Sequence, residues 1–78
     1  MKVYTLEHYY PYEGSIVVAV GTDFQKMVAV AQKERRATLS FEKDERGKHI
    51  AKAPPMRIGP GDYTDCGDWY VITSWECD

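Results

Sequence analysis

The stretch from residue 2 to residue 20, KVYTLEHYYPYEGSIVVAV, constrains the fold of this chain most strongly. From Lys2 to Tyr10 the side chains are expected to alternate between two faces of a strand, because successive strand residues point to opposite sides. Pro11 lacks the donor that a ladder needs, and Glu13-Gly14 suits a reversal. Residues 16–20 are apolar and largely β-branched, which is typical of an interior strand. The stretch therefore predicts an antiparallel hairpin whose second strand lies near the middle of a sheet.

A helix is predicted directly after this hairpin. Thr22 is followed three residues later by Gln25, which is the spacing of a capping box with Thr22 as the N-cap. An apolar stripe then recurs at i, i+3, i+4 and i+7, formed by Phe24, Met27, Val28 and Ala31. Arg35-Arg36 falls in the last turn, where positive charge complements the helix dipole. We expect the stripe to lie across one face of the sheet.

The remainder of the chain predicts more strands. Leu39 and Phe41 alternate with polar residues, residues 44–47 suit a turn, and residues 49–52 are expected to return as a partner strand in a second hairpin. Residues 54–68 are rich in proline, glycine and aspartate and are expected to form a long loop. The last strand is residues 69–76, WYVITSWE, which has no polar face.

These elements predict a single α+β domain over residues 1–78. The expected architecture is an antiparallel sheet of four to five strands with one helix on one face, in the order β-β-α-β-β-β. A chain of 78 residues has no room for a second core, and its 13% aromatic share favours a folded state. The N-terminus does not resemble a signal peptide, and no apolar run reaches the length of a membrane span, so a cytoplasmic protein is expected.

Motifs for catalysis, metals and cofactors are not found, and none of these functions is expected. The IGPG segment lacks the spacing of a phosphate-binding loop. Asp62, Asp65 and Asp68 disfavour a reactive thiolate at Cys66, and they lack the rest of a calcium-loop pattern. His8 is expected to be a packed or hydrogen-bonded ring rather than a metal ligand or a base. Cys66 and Cys77 are expected to be two reduced thiols, with a single bridge as the alternative.

A single helix can cover only one face of a sheet of this size. Tyr4, Leu6, Tyr70 and Ile72 are expected to face the helix. Val3, Tyr9, Val17, Trp69, Val71 and Trp75 are then expected to face away. Either the second hairpin folds beneath this face and makes it an ordinary core, or the face is left for a partner, because large exposed apolar patches mark interaction sites.

Protein binding is the function that this surplus of aromatic residues predicts, since tyrosine and tryptophan dominate interface energetics. The candidate partner-binding residues are Tyr9, Tyr10, Tyr12, Trp69 and Trp75. The partner is expected to be another protein or, in a homodimer, a second copy of this chain. For the tyrosines at the hairpin tip, packing over the open end of the core is an equal alternative.

Nucleic-acid binding is the second hypothesis, because charge is unevenly distributed. Residues 25–57 carry nine lysine or arginine residues against four acidic ones, whereas residues 58–78 carry none against five. The candidate nucleic-acid contacts in the hairpin 43–57 are Lys43, Arg46, Lys48, Lys52 and Arg57. Glu42, Asp44 and Glu45 lie in the same turn and oppose this hypothesis, as does a pI near 5.6.

The opening VYTLEHYY, the following IVVAV and the closing WYVITSWECD resemble a group of short, uncharacterised phage and bacterial proteins. Those proteins begin with a strand of the type Val-Tyr-x-Leu-x-His and end in an aromatic strand. The resemblance covers residues 2–31 and 68–78, implies the order of elements and brings no known activity. The architecture is also similar to some small anti-CRISPR proteins, and this analogy implies a phage inhibitor that blocks a host defence complex by steric occlusion.

Overall fold

The fold consists of one helix and a five-stranded antiparallel sheet. The computed structural model describes residues 1–54 and 67–76, together with the backbone of residues 56–59 and 62–64. The elements in chain order are β1 (Lys2–Tyr10), β2 (Gly14–Gly21), α1 (Phe24–Arg35), β3 (Glu42–Lys43), β4 (His49–Lys52), β5 (Met56–Gly59), β6 (Asp62–Thr64) and β7 (Trp69–Glu76). The large sheet has the strand order β2-β1-β7-β4-β3. The five strands of this sheet, together with α1, confirm the predicted α+β class and the order β-β-α-β-β-β.

The first hairpin is confirmed, but its second strand does not lie in the interior. β2 pairs with β1 alone and is an edge strand, while β7 is flanked by β1 and β4. The prediction was wrong because an apolar β-branched run is equally compatible with any strand, and the closing strand, which is apolar on both faces, takes the central place. A β-bulge interrupts the β1–β2 register between Leu6 and Glu7.

The helix begins one residue later than the capping-box spacing suggests. Asp23, not Thr22, is the N-cap, and its carboxylate accepts a hydrogen bond from the Gln25 amide at 2.9 Å. The apolar stripe is confirmed, because Met27 and Ala31 are buried and Phe24 and Val28 pack against the core. The helix ends at Arg36, which adopts the left-handed conformation with φ of 59°.

The second hairpin is confirmed in its turn and its return strand, but its first strand is Glu42–Lys43 and does not include Leu39 or Phe41. The hairpin extends the sheet instead of folding beneath it. β4 pairs with β7, and β3 pairs with β4 at the edge opposite to β2. In the turn, the Asp44 carboxylate accepts hydrogen bonds from the amides of Arg46 and Lys48, both at 2.9 Å. The prediction of one long loop over residues 54–68 was wrong, because β5 and β6 form a two-stranded antiparallel sheet within it.

The core lies between α1 and one face of the large sheet, which we call the covered face. Its largest fully buried side chains are Leu6, Tyr70 and Ile72. Tyr4 lies on the same face and meets Phe24 of the helix edge to face, with ring centroids 5.7 Å apart. The predicted orientation of these residues toward the helix is therefore confirmed. Within the described part of the chain, no helix is long and apolar enough to cross a bilayer.

Candidate protein-binding face

The face of the sheet opposite to the helix, which we call the outer face, carries a continuous row of paired side chains from β1 and β7. Four cross-strand pairs form this row: Val3 with Trp75, Thr5 with Thr73, Glu7 with Val71, and Tyr9 with Trp69. In the middle of the row Val71 and Thr73 are buried and Thr5 and Glu7 are partly exposed, and the ends carry the aromatic residues. The two tryptophans are six positions apart on β7, or roughly 20 Å at about 3.3 Å per residue. The outer face therefore presents two separate aromatic contacts.

Trp75 forms the first aromatic contact, and it is both accessible and held in place. Its side chain is 53% exposed. Its indole Nε1 donates a hydrogen bond to Thr5 Oγ1 at 3.0 Å, so the ring is tied to the neighbouring strand. A large ring that is ordered before binding loses little conformational entropy on binding.

Tyr9 and Trp69 form the second aromatic contact at the other end of the row. Their rings stack with centroids 5.5 Å apart and planes only 10° from parallel. Both residues are partly buried, so the stack stabilises the sheet and still presents ring surface to solvent. A groove of about 620 Å³ adjoins Trp69 and continues toward Ile50 and Pro54. This groove extends the outer face across β4.

The structure does not bring all five candidate aromatic residues together. Tyr12 lies in the turn after β1, fully exposed, with φ of 67°. Tyr10 lies on the covered face, where its ring is 4.2 Å from the ring of His8. Tyr10 and Trp75 therefore lie on opposite faces of the sheet. The predicted contact of Tyr10 with a partner does not involve the outer face.

A buried charged cluster on the covered face was not predicted from the sequence. His8 Nε2 donates a hydrogen bond to Asp68 Oδ2 at 2.6 Å, and Arg35 Nη1 donates to the same oxygen at 2.9 Å. Arg35 Nη2 also donates to the Pro54 carbonyl. Glu34 Oε1 lies 3.5 Å from His8 Nδ1. The cluster connects the end of α1 to β1, to the residue before β7 and to the segment that follows β4.

This cluster is enclosed, which favours a structural role. His8 is 5% exposed and Asp68 is 2% exposed. The imidazole of His8 stacks on Tyr70 with centroids 4.2 Å apart and planes at 14°. His8 is thus a packed and hydrogen-bonded ring, as expected. Burial, followed by the nearby charge of Glu34, raises the pKa of Tyr70 to about 12.

The cluster could not be found from the sequence because its partners are distant along the chain. Spacing associates Asp68 with Asp62 and Asp65, and position in the last turn associates Arg35 with the helix dipole. Asp68 instead turns into the core 33 residues away from Arg35 and 60 away from His8. Cys66, Cys77 and Asp65 lie outside the described residues, so the expected thiol state of the two cysteines stays a prediction.

The candidate nucleic-acid contacts lie on and beside the second hairpin. Lys43 is on β3, Arg46 and Lys48 are in the turn, and Lys52 is on β4 beside Trp69. Arg57 is on β5, whose side chains are outside the described structure. Within residues 42–48 the three basic side chains are matched by three acidic ones, Glu42, Asp44 and Glu45. This local balance weakens the electrostatic attraction that phosphate binding needs.

Comparison with protein families, with curated proteins and with solved structures finds no match to this chain. Among the described residues, no group of three or more histidine, cysteine, aspartate or glutamate side chains is placed to hold a metal ion. The geometry of the surface itself must therefore support any functional proposal.

Proposed function

We propose that this protein is a small, cytoplasmic, non-catalytic protein-binding module that docks through its outer face. The observation that supports the proposal best is Trp75, which is 53% exposed and yet fixed by the indole hydrogen bond to Thr5. Tryptophan is enriched among the residues that contribute most to interface affinity. A fixed and exposed indole is therefore a suitable anchor for a partner surface.

The second aromatic contact supports the same proposal. The Tyr9–Trp69 stack lies at the opposite end of the row, next to the groove lined by Ile50 and Pro54. Contacts at both ends of one strand pair span roughly 20 Å, which is the scale of a small protein interface. Between them Thr5 and Glu7 are partly exposed, whereas Val71 and Thr73 are buried within the protomer, so the accessible parts of the row are its two aromatic ends.

Tyr12 adds a third argument. Its left-handed backbone conformation is unfavourable for a residue with a Cβ atom, and its ring makes no contact among the described residues. A residue with an unfavourable backbone conformation and a fully exposed ring does not stabilise the protomer. We propose that Tyr12 contacts the partner from the hairpin tip, close to Tyr9.

By analogy of element order with some small anti-CRISPR proteins, we extend the proposal to the kind of partner. We propose a protein complex of a bacterial defence system as the target and steric occlusion as the mode of inhibition. A rigid sheet face fits this mode, because occlusion requires a stable surface and no reacting group. A second copy that pairs face to face is the alternative partner.

The test is an affinity capture with matched variants of the immobilised protein. The bait set is the wild type, Tyr9→Ala/Trp75→Ala on the outer face, and Arg46→Glu/Lys48→Glu on the second hairpin. Each bait is exposed to the same extract of bacteria that carry a CRISPR system, and the bound proteins are quantified by mass spectrometry. We expect a protein set that the wild type and the charge-reversed variant retain and that the aromatic variant loses.

Two results would contradict the proposal. One is an unchanged protein set on the aromatic variant. The other is a loss that is confined to the charge-reversed variant, which would favour the second hairpin and, if the bound material is RNA or DNA, the nucleic-acid hypothesis. Circular dichroism of each bait checks that both double variants are folded.

A further inference from the structure

The two edges of the large sheet differ in a way that points to a second interaction surface. One edge is β3, which has only two residues, Glu42 and Lys43, both charged. The other edge is β2, which has eight residues, GSIVVAVG, with neither charge nor proline. Natural sheets protect their edges with short strands, charged side chains, proline or β-bulges, because an unprotected edge pairs with other strands. β3 is protected by its length and its charges, whereas β2 has only the bulge opposite Glu7.

The side chains of β2 reinforce this difference. Ile16 is 56% exposed, Val17 is 60% exposed and Val20 is 61% exposed. Ile16 pairs with His8 on the covered side, whereas Val17 and Val20 pair with Glu7 and Thr5 on the outer side. Apolar side chains therefore border the edge on both sides of the sheet, and an added strand would cover them together with the unpaired backbone groups. The bulge opposite Glu7 twists β2 without adding a charge.

We propose that β2 pairs antiparallel with β2 of a second copy, which joins two five-stranded sheets into one continuous sheet. A partner strand must be apolar and uncharged, because residues 14–21 offer no charge to complement one on the partner. β2 itself meets this requirement. In a two-fold arrangement, the outward amides of each strand donate to the outward carbonyls of the other strand. The net charge of −2 per chain opposes the association of two copies only weakly.

This pairing uses an edge of the sheet and is independent of the outer-face proposal. It also places Tyr12 of one copy near residues 21–23 of the other, because antiparallel pairing of β2 sets the start of one strand beside the end of its partner. A single strand pair is a small interface, so we expect a dissociation constant on the order of 10 μM.

Sedimentation velocity over a range of concentrations tests the proposal with three variants. Val17→Lys introduces a charge at the edge, opposite Glu7, where it can be accommodated in the protomer. Glu42→Gln makes the same change in net charge at the protected edge, and Trp75→Ala removes an anchor of the outer face. We expect Val17→Lys to weaken the dimer at least ~10-fold, and the other two to leave it within about threefold of the wild type.

Amide hydrogen exchange gives a second measurement that needs no variant. We expect the outward-facing amides of residues 14–21 to become more protected as the concentration rises, while those of β3 do not change. A wild type that stays monomeric at ~100 μM would overturn the proposal. So would a dimer that Trp75→Ala abolishes and Val17→Lys leaves intact, and that result would place self-association on the outer face instead.

Discussion

On the covered face, Leu6, Tyr70 and Ile72 are buried under the helix, whereas on the outer face one of the two tryptophans, Trp75, keeps about half of its surface exposed. Polar groups follow the same division. His8, Arg35 and Asp68 are enclosed in one charged cluster on the covered face, while the Glu7 carboxylate on the outer face accepts a hydrogen bond from the Ser15 hydroxyl in contact with solvent. The comparison shows that the covered face is closed by the helix, whereas the outer face is buried at Val71 and Thr73 and accessible at Trp75.

The largest expected effect concerns the charged cluster. Asp68→Ala removes the carboxylate that Arg35 and His8 share, and a buried cation without its partner costs about 3–5 kcal/mol. Glu7→Ala on the outer face should cost below about 1 kcal/mol, because its hydrogen bond is exposed. Denaturant unfolding of both variants measures the difference. Equal losses for the two variants would refute the assignment of the cluster to the stabilising face.

Truncation of an apolar side chain should destabilise the protein more on the covered face than on the edge strand β2. Ile72→Ala opens a cavity beneath α1, and the expected loss is about 2–4 kcal/mol. Val20→Ala removes methyl groups that are 61% exposed, and the expected loss is below about 1 kcal/mol. Thermal unfolding followed by circular dichroism compares the two. A loss for Val20→Ala as large as that for Ile72→Ala would show that the edge of the sheet is covered in solution.

The pH dependence of stability should reveal the enclosed tyrosine of the covered face. The pKa of Tyr70 is raised from 10.0 to about 12, so the unfolded chain loses this proton at a lower pH than the folded chain. The resulting stability is complete below pH 10 and is lost as the pH rises toward 12, by at most about 1.4 kcal/mol per pH unit. Tyr70→Phe should remove this part of the decline. Identical slopes for the wild type and Tyr70→Phe between pH 10 and 12 would contradict the burial of the hydroxyl.

The smallest expected effect concerns Tyr12 and Arg36, the two residues other than glycine that have a left-handed backbone in the described part of the chain. Glycine at either position should relieve strain and stabilise the fold by about 0.5–1 kcal/mol, because φ is 67° at Tyr12 and 59° at Arg36. Tyr12→Gly should also weaken capture of the partner, whereas Arg36→Gly should not. Denaturant unfolding and the affinity capture described above provide the two readouts. A destabilised Tyr12→Gly would mean that the ring supports the hairpin instead of a partner.

Local patterns in the sequence predicted the helix and the main strands. The order of the strands in the sheet depends on contacts between residues that are far apart in the sequence. Period-two alternation located β1 and β7, and the spacing of Phe24, Met27, Val28 and Ala31 located the buried stripe of α1. The same patterns could not place β2 at an edge, because an apolar run contains no information about which strand is its neighbour. The N-cap was missed by one residue because Thr22 and Asp23 are both good caps.

The candidate binding residues were likewise predictable only where a local pattern determines the face on which they lie. Alternation alone predicted that Tyr9, Trp69 and Trp75 share a face, and the register of β1 with β7 confirms that they do. Adjacency in the sequence associates Tyr10 with Tyr9, but adjacent strand residues point to opposite faces, and Tyr10 lies on the covered face. The cluster of His8, Arg35 and Asp68 depends on contacts across most of the chain, and no local pattern indicates it.

The most direct test of the recognition role is to measure affinity and stability on the same variant. Once a partner has been captured, isothermal titration of the wild type and of Trp75→Ala gives the change in affinity, and denaturant unfolding gives the change in stability. We expect binding to weaken at least ~30-fold, as for an anchor worth about 2 kcal/mol, with a loss of stability near 1 kcal/mol. Unchanged affinity for Trp75→Ala would contradict the assignment of the outer face as the docking surface.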